Sequence, residues 1–159
     1  MLGSPVRQGA ADARLRHFLE NDCERLMLSG RLANKVGAVF TVGAHPHGRY
    51  GDGAEIAQLG MLRALAAGGM TIVSGPCEWR NATMRGPYWG PHACLRIGED
   101  GREVLQDGSI EAGQLHGYRV AQVARSFKHQ PIARPRRIVA WPRMAELFSG
   151  VRAHLRSVR

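Results

Sequence analysis

Lys35-Val36-Gly37-Ala38-Val39-Phe40-Thr41-Val42-Gly43 is a short β-branched run that opens directly into a glycine-rich loop, Gly43-Ala44-His45-Pro46-His47-Gly48-Arg49-Tyr50-Gly51-Asp52-Gly53. The loop feeds residues 54–67, where Ile56, Leu59, Leu62 and Ala66 recur at helical spacing before Gly68-Gly69 stops the helix. A strand, a tight glycine loop and a helix form the unit that builds ligand crevices at the carboxyl ends of parallel strands. Met70-Thr71-Ile72-Val73-Ser74 then reads as a second buried strand, reached by a right-handed β-α-β crossover. The fold class is therefore α/β.

Working outward, residues 10–28 predict a helix with Leu15, Phe18, Leu19 and Leu26 on one side, ended by Ser29-Gly30. Residues 75–92 form a long loop rich in Gly and Pro, and carry Trp79, Tyr88 and Trp89. Loops of that length inside a compact domain are usually functional or disordered. Ser109 is placed to cap a last helix, with Ile110, Gly113, Gly117, Val120, Ala121, Ala124 and Phe127 on one face. Two parallel strands cannot hide both faces and both edges of a sheet. Met1-Leu2-Gly3-Ser4-Pro5 reads as the end of a third strand whose beginning is missing, so the sheet is expected to be incomplete at its amino end.

The 159 residues suit one domain, and a hydrophobic content of 44% with 20 glycines is a globular composition rather than a disordered one. No apolar run approaches membrane-spanning length and the first residues lack signal-peptide character, so a cytoplasmic protein without membrane contact is expected. Cys23, Cys77 and Cys94 are scattered and odd in number, which fits reduced thiols. The net charge of +9 is unevenly placed. From Arg125 onward nine cations face Glu146 alone, a net +8, so the body is nearly neutral. We expect a domain over 1–129 and a basic, Pro- and Arg-rich tail over 130–159 with a short amphipathic helix at 143–156. That distribution makes nucleic acid an unfavoured partner.

Gly3-Ser4-Pro5-Val6-Arg7-Gln8-Gly9, followed by a helix containing Leu15-Arg16-His17-Phe18-Leu19, resembles the third-strand loop and next helix of flavodoxin-like proteins, the NAD(P)H:quinone oxidoreductases of the WrbA type. Lys35 to Thr41 is similar to the family's fourth strand and Gly69 to Val73 to its fifth. Gly86-Pro87-Tyr88-Trp89-Gly90 resembles its Pro-Tyr-Gly loop, and Gly117-Tyr118-Arg119-Val120-Ala121 its closing helix. The ordered set covers residues 3–127. The resemblance implies a flavodoxin-like, doubly wound parallel sheet that binds FMN and passes a hydride from NAD(P)H to a quinone-like acceptor, in a homo-oligomer.

Carried over residue by residue, Ser4, Pro5, Val6, Arg7, Gln8 and Gly9 would wrap one side of the isoalloxazine through backbone groups. Thr41, Val42, Gly43, Ala44, His45 and Pro46 would pass along its other edge, and Tyr88 and Trp89 would border the substrate opening. Arg7 would set a cation near the pyrimidine edge, where negative charge develops on reduction. The family's first strand, its Ser/Thr-rich phosphate loop, its first helix and its second strand have no counterpart in this sequence. Weak FMN binding by this chain alone is therefore expected, because that loop normally holds the phosphate on backbone N–H groups.

Competing chemistries are poorly supported. His45, His47, His92, Cys77 and Cys94 match no structural zinc spacing, so no metal is assigned. No Ser-His-Asp order or carboxylate pair is evident and no catalytic residue is assigned, since in flavoenzymes the cofactor carries the redox chemistry. The alternative is a non-catalytic interaction protein that uses a partial flavodoxin scaffold and its basic tail to meet an acidic partner.

Overall fold

The structure, a computed structural model, describes residues 1–44, 53–75 and 88–129. His45, Pro46, Cys77, Trp79 and the basic tail lie outside the described residues. Strands β1 (Leu2–Arg7), β2 (Ala10–Ala11), β3 (Val36–Gly37), β4 (Val39–Gly43), β5 (Thr71–Ile72), β6 (His92–Ile97) and β7 (Glu103–Leu105) alternate with helices α1 (Ala13–Phe18), α2 (Glu24–Leu28), α3 (Ala54–Ala67) and α4 (Ser109–His129). A π-helical turn, Leu19–Cys23, joins α1 to α2.

The main sheet has the order β2-β1-β4-β6-β7. Its centre is parallel: Leu2, Gly3, Ser4 and Pro5 of β1 lie opposite Val39, Phe40, Thr41 and Val42, and Thr41, Val42 and Gly43 lie opposite His92, Ala93 and Cys94. The edges are short and antiparallel, β2 folding back on Val6–Arg7 and β7 on Leu95–Ile97. This parallel-dominant α/β sheet bears out the expected fold class.

The predicted strand at 70–74 is present as β5, but it fills only part of its position. Thr71 and Ile72 pair with Val36 and Gly37 in β3, one residue before β4 begins. The Thr71 amide donates to the Lys35 carbonyl at 2.8 Å and the Val73 amide to the Gly37 carbonyl at 2.9 Å. Higher up, β6 takes over beside β4, with the Thr41 amide donating to the Pro91 carbonyl at 3.0 Å. One strand position is thus shared by two separate segments. Gly90 makes the second possible: its backbone lies flat on the Val39 carbonyl, and a Cβ there would overlap that oxygen.

Helix α3 covers one face of the sheet. It buries Ala54, Ala57, Gln58, Met61, Leu62 and Leu65, and the core cluster joins Met61, Leu62 and Leu65 to Val39 and Ala11. The predicted helix limits hold, but the predicted stripe is rotated, since Ile56 is 67% exposed, Leu59 is 44% exposed and only Leu62 of the four is buried. Small residues at 54 and 57 let the first turn of the helix approach β4 closely, so the inward face there carries Ala54 and Ala57 rather than Ile56 and Leu59, with Met61, Leu62 and Leu65 continuing it.

The predicted helix over 10–28 also needs correction. Residues 10–11 are strand, the helix starts after Asp12, whose Oδ1 accepts from the Arg14 amide at 3.0 Å, and the π-helical turn resets the phase at Leu19–Cys23. Helix α4 packs against β3 and β6. Ser109 is its first residue rather than its cap, the Ala112 amide donating to the Gly108 carbonyl at 2.9 Å, and Ser109, Ala112 and His116 are buried while Ile110 is 63% exposed. Among the described residues no helix is long and apolar enough to cross a membrane.

Replacement of Gly90 by alanine is expected to destabilise the chain by about 2 kcal/mol or more, because backbone cannot yield as a side-chain tip can. Urea unfolding of Gly90→Ala beside Gly60→Ala checks this. No atom lies within 4 Å of a Cβ at Gly60, and that helix-interior change should be neutral or stabilising.

Candidate active site

The register of β1 on β4 brings two sequence-predicted segments together. With Ser4 opposite Thr41 and Pro5 opposite Val42, the carboxyl end of β1 and its turn, Val6 to Gly9, lie beside Val42, Gly43 and Ala44. The amino end of α3 joins them. Gly53, at φ +61, packs so tightly on Gly9 that a Cβ would overlap the Gly9 backbone. Three backbone segments thus converge at one end of the parallel sheet, where crevices form in such folds.

The side chains divide sharply. Arg7 and Gln8 are exposed. Ser4 is 2% exposed and turned inward: its hydroxyl donates to the Pro5 carbonyl at 2.8 Å and accepts from the Asp12 amide at 2.8 Å. Thr41 is wholly buried. Tyr88 stands 88% exposed and Trp89 37% exposed. His45 and Pro46 fall outside the described residues.

Beside Gly43 a polar cluster joins Thr41 and His92 to Gln58, a residue that the sequence reading did not single out. Thr41 Oγ1 and His92 Nδ1 are 2.9 Å apart, and Gln58 Nε2 donates to Thr41 Oγ1 at 3.0 Å. The same Nε2 lies 3.1 Å from the Gly90 carbonyl oxygen and 3.2 Å from that of Pro91. The His92 ring lies against Gly43, where a Cβ would come 3.0 Å from Cε1 and 3.4 Å from Nε2. On β6, Cys94 is opposite Gly43 and holds its Sγ 3.6 Å from the Ala44 carbonyl oxygen. The clue to Gln58 was present: a glutamine four residues after Ala54 falls on the apolar stripe once the stripe is given its true phase.

Cys23 and Cys94 are buried thiols, and burial, with Asp22 adding, raises the Cys23 thiol above its usual range. Among the described residues no group of three or more His, Cys, Asp or Glu side chains is arranged to hold a metal. A second histidine, His116 on α4, is fully buried beside Gly90, and neither ring nitrogen has a hydrogen-bond partner among the described residues. Burial lowers its pKa below 6.5; the Val39 carbonyl opposes that shift and Arg119 adds to it.

The folded chain therefore disfavours the protonated form of His116, whereas the unfolded chain takes up a proton near the ordinary value. Stability contributed by the neutral ring is complete above pH 6.5 and is lost as pH falls below it. The urea midpoint should drop between about pH 7.5 and about pH 5.5, and His116→Phe should flatten part of that drop. An equal drop in the variant would assign it elsewhere.

No family model matches the sequence. The chain is 34% identical over 124 residues to an NAD(P)H dehydrogenase (quinone) of Archaeoglobus fulgidus, a match covering 78% of this chain and 58% of that protein. It is 30% identical over 130 residues to an NAD(P)H dehydrogenase (quinone) of Syntrophobacter fumaroxidans, covering 80% and 61%. The chain thus spans about three fifths of the length of the curated relatives it matches. In three dimensions it is similar to a flavodoxin, WrbA-like protein from Agrobacterium tumefaciens. The TM-score is 0.58 at 21% identity, over 79% of this chain and 65% of that one, and it shows a flavodoxin-like fold.

Proposed function

We propose that this chain is a member of the flavodoxin-like family of WrbA type and serves FMN-dependent hydride transfer from NAD(P)H to a quinone-like acceptor in the cytoplasm. The observation that carries this reading is the convergence of Val6 to Gly9, Val42 to Ala44 and the Gly53 end of α3 at the carboxyl edge of parallel strands.

The described residues fit the ring end of FMN. A flat heteroaromatic ring asks for backbone groups and little side-chain bulk at its edge. Ser4 and Thr41 are turned inward, so the edge left to a ligand is mainly main chain. Val6 to Gly9 would hold one side and Val42 to Ala44 the other. Arg7, exposed beside that edge, supplies positive charge where reduction adds electron density. Tyr88 and Trp89 would flank the acceptor, presenting apolar rings with polar tips. FMN, when bound, would accept the hydride and return it to the acceptor; the protein's part is to orient the ring and bias its charge.

A homo-oligomer accords with the sheet face opposite α3. Phe40, Ile97 and Leu105 project there by strand alternation and are 41%, 67% and 40% exposed. Apolar surface of that kind marks association sites. Sedimentation velocity should report an assembly that Ile97→Glu weakens; a wild-type monomer at about 100 µM would remove the oligomer from this reading.

The direct test is FMN titration into the isotope-labelled chain, read by flavin fluorescence and by amide chemical shifts. Weak but saturable quenching is expected, with Kd on the order of 10–100 µM, about −6 kcal/mol. The amides of Gly9, Gly43 and Ala44 should move most. Absence of quenching, or shifts confined to other surfaces, would overturn the assignment.

A further inference from the structure

We infer that Gln58 and Thr41 form a directed hydrogen-bond chain that locks His92 in its Nε2-protonated, neutral tautomer and thereby positions the Gly43 edge of the crevice. The significance for cofactor binding rests on the function proposed above; the chain itself does not.

The direction follows from donor and acceptor accounting. Gln58 Nε2 faces three oxygens, those of Thr41 Oγ1, the Gly90 carbonyl and the Pro91 carbonyl. Turning the amide over would set Oε1 against two carbonyl oxygens, so the nitrogen must occupy this place. Thr41 Oγ1 therefore accepts from Gln58. Its own proton needs an acceptor, because Thr41 is fully buried and a buried unpaired hydroxyl costs about 1–3 kcal/mol. His92 Nδ1, at 2.9 Å, is the acceptor available. A nitrogen that accepts carries no proton, which puts the ring proton on Nε2, the edge that lies along Gly43.

Each link joins a different element. Gln58 belongs to α3, Thr41 to β4, Gly90 and Pro91 to the segment entering β6, and His92 to β6 itself. The chain therefore sets the height of β6 against β4, in concert with the Thr41 amide bond to Pro91. Gly43 and Ala44 follow immediately on that registered stretch. Gln58 acts as a positioning residue: it acts on the crevice edge through Thr41 and His92 and through the Gly90 and Pro91 carbonyls.

The test needs no flavin. Nitrogen NMR of the histidine-labelled 159-residue chain, with His92 assigned by His92→Gln, should show a pyridine-like Nδ1 and a protonated Nε2. Thr41→Ser, which keeps the hydroxyl, should retain that pattern, whereas Thr41→Val should give a tautomer mixture. A merely space-filling Thr41 would not separate serine from valine in this way. Gln58→Leu should leave the Thr41 amide about tenfold less protected from hydrogen exchange, by release of the 90–91 segment. A protonated Nδ1 in the wild type, or unchanged Thr41 protection in Gln58→Leu, overturns the inference. If Thr41→Val does not fold, the wild-type tautomer and the Gln58→Leu exchange still decide it. Flavin then separates the two readings: FMN-induced shifts at Gly43 and Ala44 should shrink in Gln58→Leu, while failure of the wild type to bind FMN would sink the proposed function alone.

Discussion

Everything in this structure is arranged around β4, and β4 depends on one close contact, the Gly90 backbone seated on the Val39 carbonyl. A strand in the interior of a sheet must have its main-chain groups paired along both edges. On one edge β1 does this continuously, from Leu2 to Pro5. On the other edge the pairing is assembled from two pieces, β5 below and β6 above. Gly90 is where the second piece arrives, and only a residue without a side chain can come so close.

Around that contact the chain buries polar groups where an apolar filling would be the simpler choice. Gln58, Thr41, His92 and His116 are all at least nine-tenths buried, and all lie within reach of Gly90 or of the strand it joins. Hydrogen bonds specify position more narrowly than dispersion contacts do, because they fix direction as well as distance. A short strand pair of three residues, Thr41 to Gly43 on His92 to Cys94, has little area with which to hold its register. Buried side-chain bonds supply what area cannot. His116 is the exception in this group, a buried ring without a hydrogen-bond partner among the described residues, and its burial disfavours the charged form.

Much of the fold was legible in the sequence, and the failures have common causes. The α3 limits, the β4 run and the β5 run were readable because β-branched and helical periods are strong there. The phase of α3 was misread because Ile56 and Leu59 are more hydrophobic than Ala54 and Ala57, although close packing favours the small pair. Strand β6 went unread because its alternation is inverted, with His92 and Cys94 buried while the apolar Ile97 is exposed, and β7 is only three residues long. At the crevice, Ser4–Gly9 and Val42–Ala44 could be placed from motif and register. Which of their side chains face inward could not, since burial of Ser4 and Thr41 depends on Asp12 and Gln58, partners distant in the chain.

The division of one strand position between Thr71–Ile72 and His92–Ile97 also bears on how this architecture can vary. Both segments are pinned to the same continuous run, Val36 to Gly43, so the stretch between them leaves and returns to nearly the same place. Closing such an excursion depends only logarithmically on its length, and doubling it costs about 0.6 kcal/mol. Residues can be gained or lost there while the sheet keeps its pairing. The interruption of the sheet thus coincides with a place where a change of length leaves the strand pairing intact, next in sequence to the exposed Tyr88 and Trp89.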